Sequence, residues 1–121
     1  MKAGSGMIRN GIDITKCDIR CCGDLMYEDN YINAVYELWF DVETYFDITL
    51  DDNSWIDLYT NWFSNGDIEV IVEYDADKGD KISYLPFEPD EDEKTFFISK
   101  MEERCMKLYG ESLMEFYEER T

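Results

Sequence analysis

Period-two alternation of apolar residues is the feature that most restricts what this chain can fold into. Ile32, Ala34, Tyr36, Leu38, Phe40, Val42, Phe46, Ile48 and Leu50 occupy alternate positions, interrupted only by Thr44. Successive side chains of a strand point to opposite faces, so the run predicts a long strand, bent or broken into two pieces, with one apolar face. The other parity carries Glu37, Asp41, Glu43 and Asp47, with Val35, Trp39 and Tyr45 interleaved as candidate exposed contacts.

The same period continues downstream. Ile68, Val70, Val72 and Tyr74 alternate with Asp67, Glu69 and Glu73, and Asn65-Gly66 just before them is the dipeptide most favoured in tight hairpin turns. Residues 55–63 fit either period: Trp55, Tyr59 and Trp62 make a helical face, while Ile56, Leu58, Thr60 and Trp62 make a strand face. The adjoining turn favours a strand. Asp75 to Asp80 reads as the next hairpin loop and Ile82 to Phe87 as a short strand, its Pro86 suited to an edge. Upstream, Gly4, Gly6 and Gly11 mark a loose segment leading to a short strand around Ile12 to Cys21.

Beyond Pro89 the chemistry changes. Asp90 with Glu93 three residues on has the form of a capping box, and Phe97, Met101, Cys105 and Leu108 recur at helical spacing. Ile98 and Tyr109 widen the stripe, while Lys100, Glu102, Glu103 and Lys107 are free to face water. Gly110 suits the helix end, and Ser112 with Glu115 opens a second, short helix bearing Leu113, Phe116 and Tyr117. The expected fold is α+β, an antiparallel β-meander of four or five strands with one face covered by one long and one short C-terminal helix. One domain over 1–121 is expected, with 1–11 loose, 12–87 mainly β and 90–120 helical.

Charge bounds the function. The 29 acidic and 11 basic residues give a net charge of −18, yet 16% of the chain is aromatic, which sets it apart from disordered acidic proteins. Direct binding to nucleic acid or an anionic membrane is electrostatically unfavourable. A cationic protein partner is expected instead. No apolar run is long enough for a transmembrane helix, and the first 25 residues lack a signal-peptide core, so a cytoplasmic location is expected.

Catalytic chemistry is poorly supplied. Without histidine there is no Ser-His or Cys-His catalysis and no imidazole metal ligand. Carboxylate pairs are uninformative when acids are this abundant, so no enzyme activity, catalytic residue or cofactor is expected. Cys17, Cys21, Cys22 and Cys105 lack the CxxC spacing of a thiolate metal site and read as free thiols in a reducing cytosol. Asp75, Asp77 and Asp80 beside Gly79 offer oxygen ligands for calcium, but Gly79 comes one position early and Pro86 stands where a bidentate Glu belongs. A polar hairpin turn is the better reading, there and at Asp51, Asp52 and Asn53.

From Cys21 to Asp77 the chain has 57 residues, 15 of them acidic, and no Lys or Arg. Ordinary surfaces intersperse both signs. Carboxylates two apart on a strand repeat at about 6.6 Å, close to twice the roughly 3.4 Å axial charge spacing of one DNA strand. Rows are expected from Glu37, Asp41, Glu43 and Asp47 on one strand, Asp57 on the next, and Glu69 and Glu73 on a third.

Small size, acidity and carboxylate rows on a β-rich scaffold together resemble the DNA-mimic proteins of phages and mobile elements, which include anti-restriction proteins and anti-CRISPR inhibitors. The segment from Trp55 through Pro89 to Met101, Glu102, Glu103, Arg104 and Cys105 is also similar to small proteins of bacterial mobile elements. The class resemblance implies a protein in a bacterial host cell that occupies the basic channel of a nucleic-acid-binding protein, such as a Cas effector or a restriction enzyme; monomer and homodimer both stay open, because an edge strand or the aromatics of the acidic face could pair two copies. Trp39, Tyr45 and Tyr59 are then candidate anchors. Two alternatives stay open: an acidic adaptor for a basic protein unrelated to nucleic acid, and a calcium-binding sensor.

Overall fold

The computed structural model describes residues 8–50, 56–75 and 82–121. In chain order the elements are β1 (Ile8–Arg9), β2 (Ile12–Asp13), a 3-10 turn (Ile14–Lys16), β3 (Asp18–Glu28), β4 (Tyr31–Trp39), α1 (Val42–Phe46), β5 (Ile56–Phe63), β6 (Ile68–Asp75), β7 (Ile82–Phe87), α2 (Glu91–Tyr109) and α3 (Leu113–Arg120). Strands β3 to β7 make one antiparallel sheet in sequence order. That is the expected meander, and residues 56–63 are strand.

Alternation along each strand sorts the side chains. Ile19 and Leu25 of β3, Ile32, Ala34 and Tyr36 of β4, Leu58, Thr60 and Trp62 of β5, and Ile68, Val70 and Val72 of β6 are all buried on one face. Phe97, Met101 and Cys105 of α2 and Leu113 and Phe116 of α3 complete this core. Leu108, at the end of the predicted stripe, is exposed. The polar atoms within the core are satisfied: the Tyr36 hydroxyl donates to the Phe97 carbonyl at 3.2 Å, and Thr60 donates to the Tyr36 hydroxyl at 3.0 Å.

Both C-terminal helices begin with reciprocal capping boxes, Asp90 with Glu93 and Ser112 with Glu115, as their spacing predicts. Gly110 ends α2 in the left-handed region at φ 70°, where its amide bonds the Met106 carbonyl.

Four local expectations are corrected. The strand expected around Ile12 to Cys21 is split between β2 and β3 by the 3-10 turn, which Asp13 opens by accepting from the Thr15 amide at 3.0 Å. The strand predicted to run to Leu50 stops at Trp39, because the Asp41 side chain accepts from the Thr44 amide and hydroxyl, at 3.2 and 2.6 Å, and starts α1. The N-terminal segment is structured from Ile8: Asn10 and Gly11, both at positive φ, form a two-residue turn that pairs Arg9 with Ile12. Asn65-Gly66 belongs to a three-residue loop, in which the Gly66 amide bonds the Phe63 carbonyl and Gly66 takes φ 91°. Asp77, Gly79 and Asp80, together with Asp51, Asp52 and Asn53, lie outside the described residues.

Candidate functional site: the open sheet face

Helices cover one sheet face and leave the other to the residues of opposite parity. Antiparallel register arranges these in cross-strand rows. The central row is Cys22, Val35, Tyr59, Ile71 and Pro86, each opposite the next. On one flank Asp57 faces Glu73 and Glu73 faces Tyr84, while Glu37, one step past the Tyr36–Leu58 pair, extends the row to β4. On the other flank lie Met26, Asn33, Asn61 and Glu69.

Hydrogen bonds hold both flanks. Asn33 Nδ2 donates to Asn61 Oδ1 and Asn61 Nδ2 donates to Glu69 Oε1, each at 2.8 Å, a chain across three strands. The Tyr59 hydroxyl donates to Glu73 Oε1 at 3.3 Å. Burial, together with the charges of Asp57 and Glu73, pushes the Tyr59 phenol up to about 12. The phenol therefore stays protonated and remains a donor. Tyr84, 62% exposed, is likewise raised by its interaction with Glu73. Partial burial first, and then the Glu37 carboxylate, raises the Cys22 thiol, which makes it a poor nucleophile.

Six of the ten residues predicted to bind a partner share this face: Glu37, Trp39, Asp57, Tyr59, Glu69 and Glu73. The other four do not. Asp41 and Asp47 cap α1 and Glu43 lies in its first turn, and α1 packs in the helical layer, with Tyr45 and Phe46 against Phe87 and the Tyr45 hydroxyl on Glu93 of α2. Asp41 is used internally as the N-cap, and Glu43 Oε2 accepts from the Leu50 amide at 2.8 Å. Asp47 ends the helix in the left-handed region at φ 56°.

Tyr45 is fully buried, against Phe40, Phe46 and Phe87, and cannot anchor a partner. The expected phosphate-like row along β4 is therefore absent, and acids on this face are grouped across strands. One sign does not rule the whole face either: Arg20 stands opposite Glu37, bonds Asp18 at 3.3 Å and lies 5.1 Å over the Trp39 ring.

Sequence reading missed a second polar cluster. Glu93, buried at the start of α2, accepts from Arg9 Nη2 at 2.8 Å, Arg9 Nε at 3.1 Å, the Asp90 amide at 3.0 Å and the Tyr45 hydroxyl. Burial alone would raise this carboxyl, but hydrogen bonds from Arg9 and Tyr45 more than offset it and hold it below the ordinary range. Arg9 also lies 4.4 Å over Phe87. The cluster ties the N-terminal hairpin to α1 and α2. Its sequence signals are the Asp90–Glu93 capping box and Arg9 next to the Asn10-Gly11 turn, and neither points to the other.

Among the described residues, no three His, Cys, Asp or Glu side chains are grouped to hold a metal ion. All four cysteines are free thiols, with Cys21 and Cys22 on opposite sheet faces and Cys105 in the core. No described helix is long and apolar enough to cross a membrane. Compared with protein-family models, with curated proteins and with solved structures, the chain matches none.

Proposed function

We propose that this protein is a non-enzymatic binding module that presses its open sheet face against a basic patch of a nucleic-acid-binding protein and thereby keeps nucleic acid out. One observation carries the reading: Glu37, Asp57, Glu69 and Glu73 frame a row of aliphatic and aromatic side chains on a face that no other described element covers. Carboxylates that frame apolar contacts suit a partner rich in Arg and Lys, where charge steers encounter and buried aromatics supply affinity. Trp39, 57% exposed, and Tyr59 are the anchors on this face. The class of partner is a bacterial defence nuclease, a Cas effector or a restriction enzyme, and the inhibitor's origin is a phage or mobile element.

The test is competition. Purified protein is added to a panel of such nucleases loaded with labelled duplex DNA, and displacement that weakens with rising salt supports the proposal. Failure to displace DNA from any member would remove it.

A second reading, an acidic adaptor for a basic protein surface, is favoured by the row itself. A central apolar stripe with polar flanks is the build of a protein–protein contact, and its carboxylates lack a regular phosphate-like repeat. A partner that holds this protein and duplex DNA at the same time selects the adaptor.

A further inference from the structure

In a chain with a net charge of −18, four of the eleven cations line one groove. It lies between β3, the edge strand of the described sheet, and the side of α2, has a volume of about 200 Å³, and has Ile19 and Cys21 among its walls. Lys100, Arg104 and Lys107 recur at i, i+4 and i+7 of α2, which puts them on one helical face, and Arg20 comes from β3. Among the described residues, none of the three helical cations has a carboxylate within ion-pair distance, although Glu103 also lines the groove.

Glu103 stands three residues after Lys100 and four before Lys107, and Lys107 in the last turn suits the helix dipole, so helix stability accounts for part of the stripe. Arg104 is already oriented. Its Nε donates to the Gly23 carbonyl at 3.0 Å, at the irregular stretch of β3, and its terminal nitrogens make no hydrogen bond among the described residues. A fixed guanidinium fork flanked by two ammonium groups is chemistry suited to a phosphate, which takes two parallel bonds from the fork and further charge from lysines.

We propose that this groove is an anion site that takes the phosphate group of a small phosphorylated ligand; it borders the acidic face at Arg20, which is already paired with Asp18, and does not depend on that face's role. The long-range field of the molecule opposes anions, so binding relies on short-range contacts within the groove. Pyrophosphate and inorganic phosphate serve as probes, titrated into the full chain while backbone amide NMR signals are followed.

The proposal expects a saturable shift confined to residues 19–22 and 100–107. It also expects the K100Q/K107Q variant to weaken pyrophosphate binding by about tenfold or more. Neither lysine holds a backbone group, so this variant keeps its fold, which circular dichroism verifies; R104Q is the stricter test, because it also releases Gly23. Shifts that do not saturate, that spread over the surface, or that persist unchanged in K100Q/K107Q would overturn the site.

Discussion

Glu93 shows how one residue decides several contacts. It caps α2, neutralises Arg9 and receives the Tyr45 hydroxyl, so its loss leaves the phenol without its acceptor and the guanidinium with only the Glu88 carbonyl, at 3.3 Å. Glu93 is fully buried but the Arg9 side chain is 34% exposed, so E93A should cost about 1–3 kcal/mol and unfold at lower urea than the parent, and R9A should lose a comparable amount. The pH dependence has a definite sign. Because the folded carboxyl titrates below its ordinary value of 4.5, its stabilisation is complete above that value and is lost as pH falls through the folded one. The stability gap between the parent and E93Q should therefore shrink on acidification, and a gap that widens would contradict the assignment. In the core, T60V removes the donor to Tyr36 and should cost about 1 kcal/mol by urea titration.

At the scale of elements, the helices owe their limits to short-range chemistry. S112A and D90A each remove the side-chain acceptor of a capping box and should lower stability by about 1 kcal/mol. Thermal melts would show it, and an unchanged melt would mean the box is idle. The same chemistry explains what could be read from sequence. Residues 68–75, 82–87 and 91–109 carry a clean period and unambiguous ends, so their type and extent were legible.

The run from 32 to 50 was not, because alternation persists through Phe40, Val42, Phe46 and Ile48 while Asp41 and Thr44 supply a helix start. Local capping prevails there, with Tyr45 and Phe46 packing on Phe87. Asn10-Gly11 carries the same turn signal as Asn65-Gly66, yet the isolated hairpin it closes has too few apolar residues for periodicity to mark it. Glu93 reads as an ordinary capping acid, since its other partners are 48 and 84 residues away.

For the whole molecule, the candidate face was half legible. Parity placed Glu37, Trp39, Asp57, Tyr59, Glu69 and Glu73 together correctly, and the misread strand end misplaced Asp41, Glu43, Asp47 and Tyr45. Net charge acts at this scale too. Raising ionic strength from about 10 mM to 150 mM shortens the screening length from roughly 30 to 8 Å, which relieves repulsion among the acids. The melting temperature should rise by about 4 °C, equivalent to roughly 1 kcal/mol for a domain of this size; a fall would show that ion pairs outweigh repulsion.

The central claim is that geometry, and not total charge, makes the open face the docking surface. Two variants that each remove three negative charges separate these: E37Q/D57N/E73Q on the open face and D41N/E43Q/D47N around α1. The measurement is displacement of labelled duplex DNA from a nuclease of the proposed partner class. The open-face variant should lose about tenfold or more in potency while the α1 variant stays close to the parent. Equal losses, or a larger loss from the α1 variant, would contradict the account.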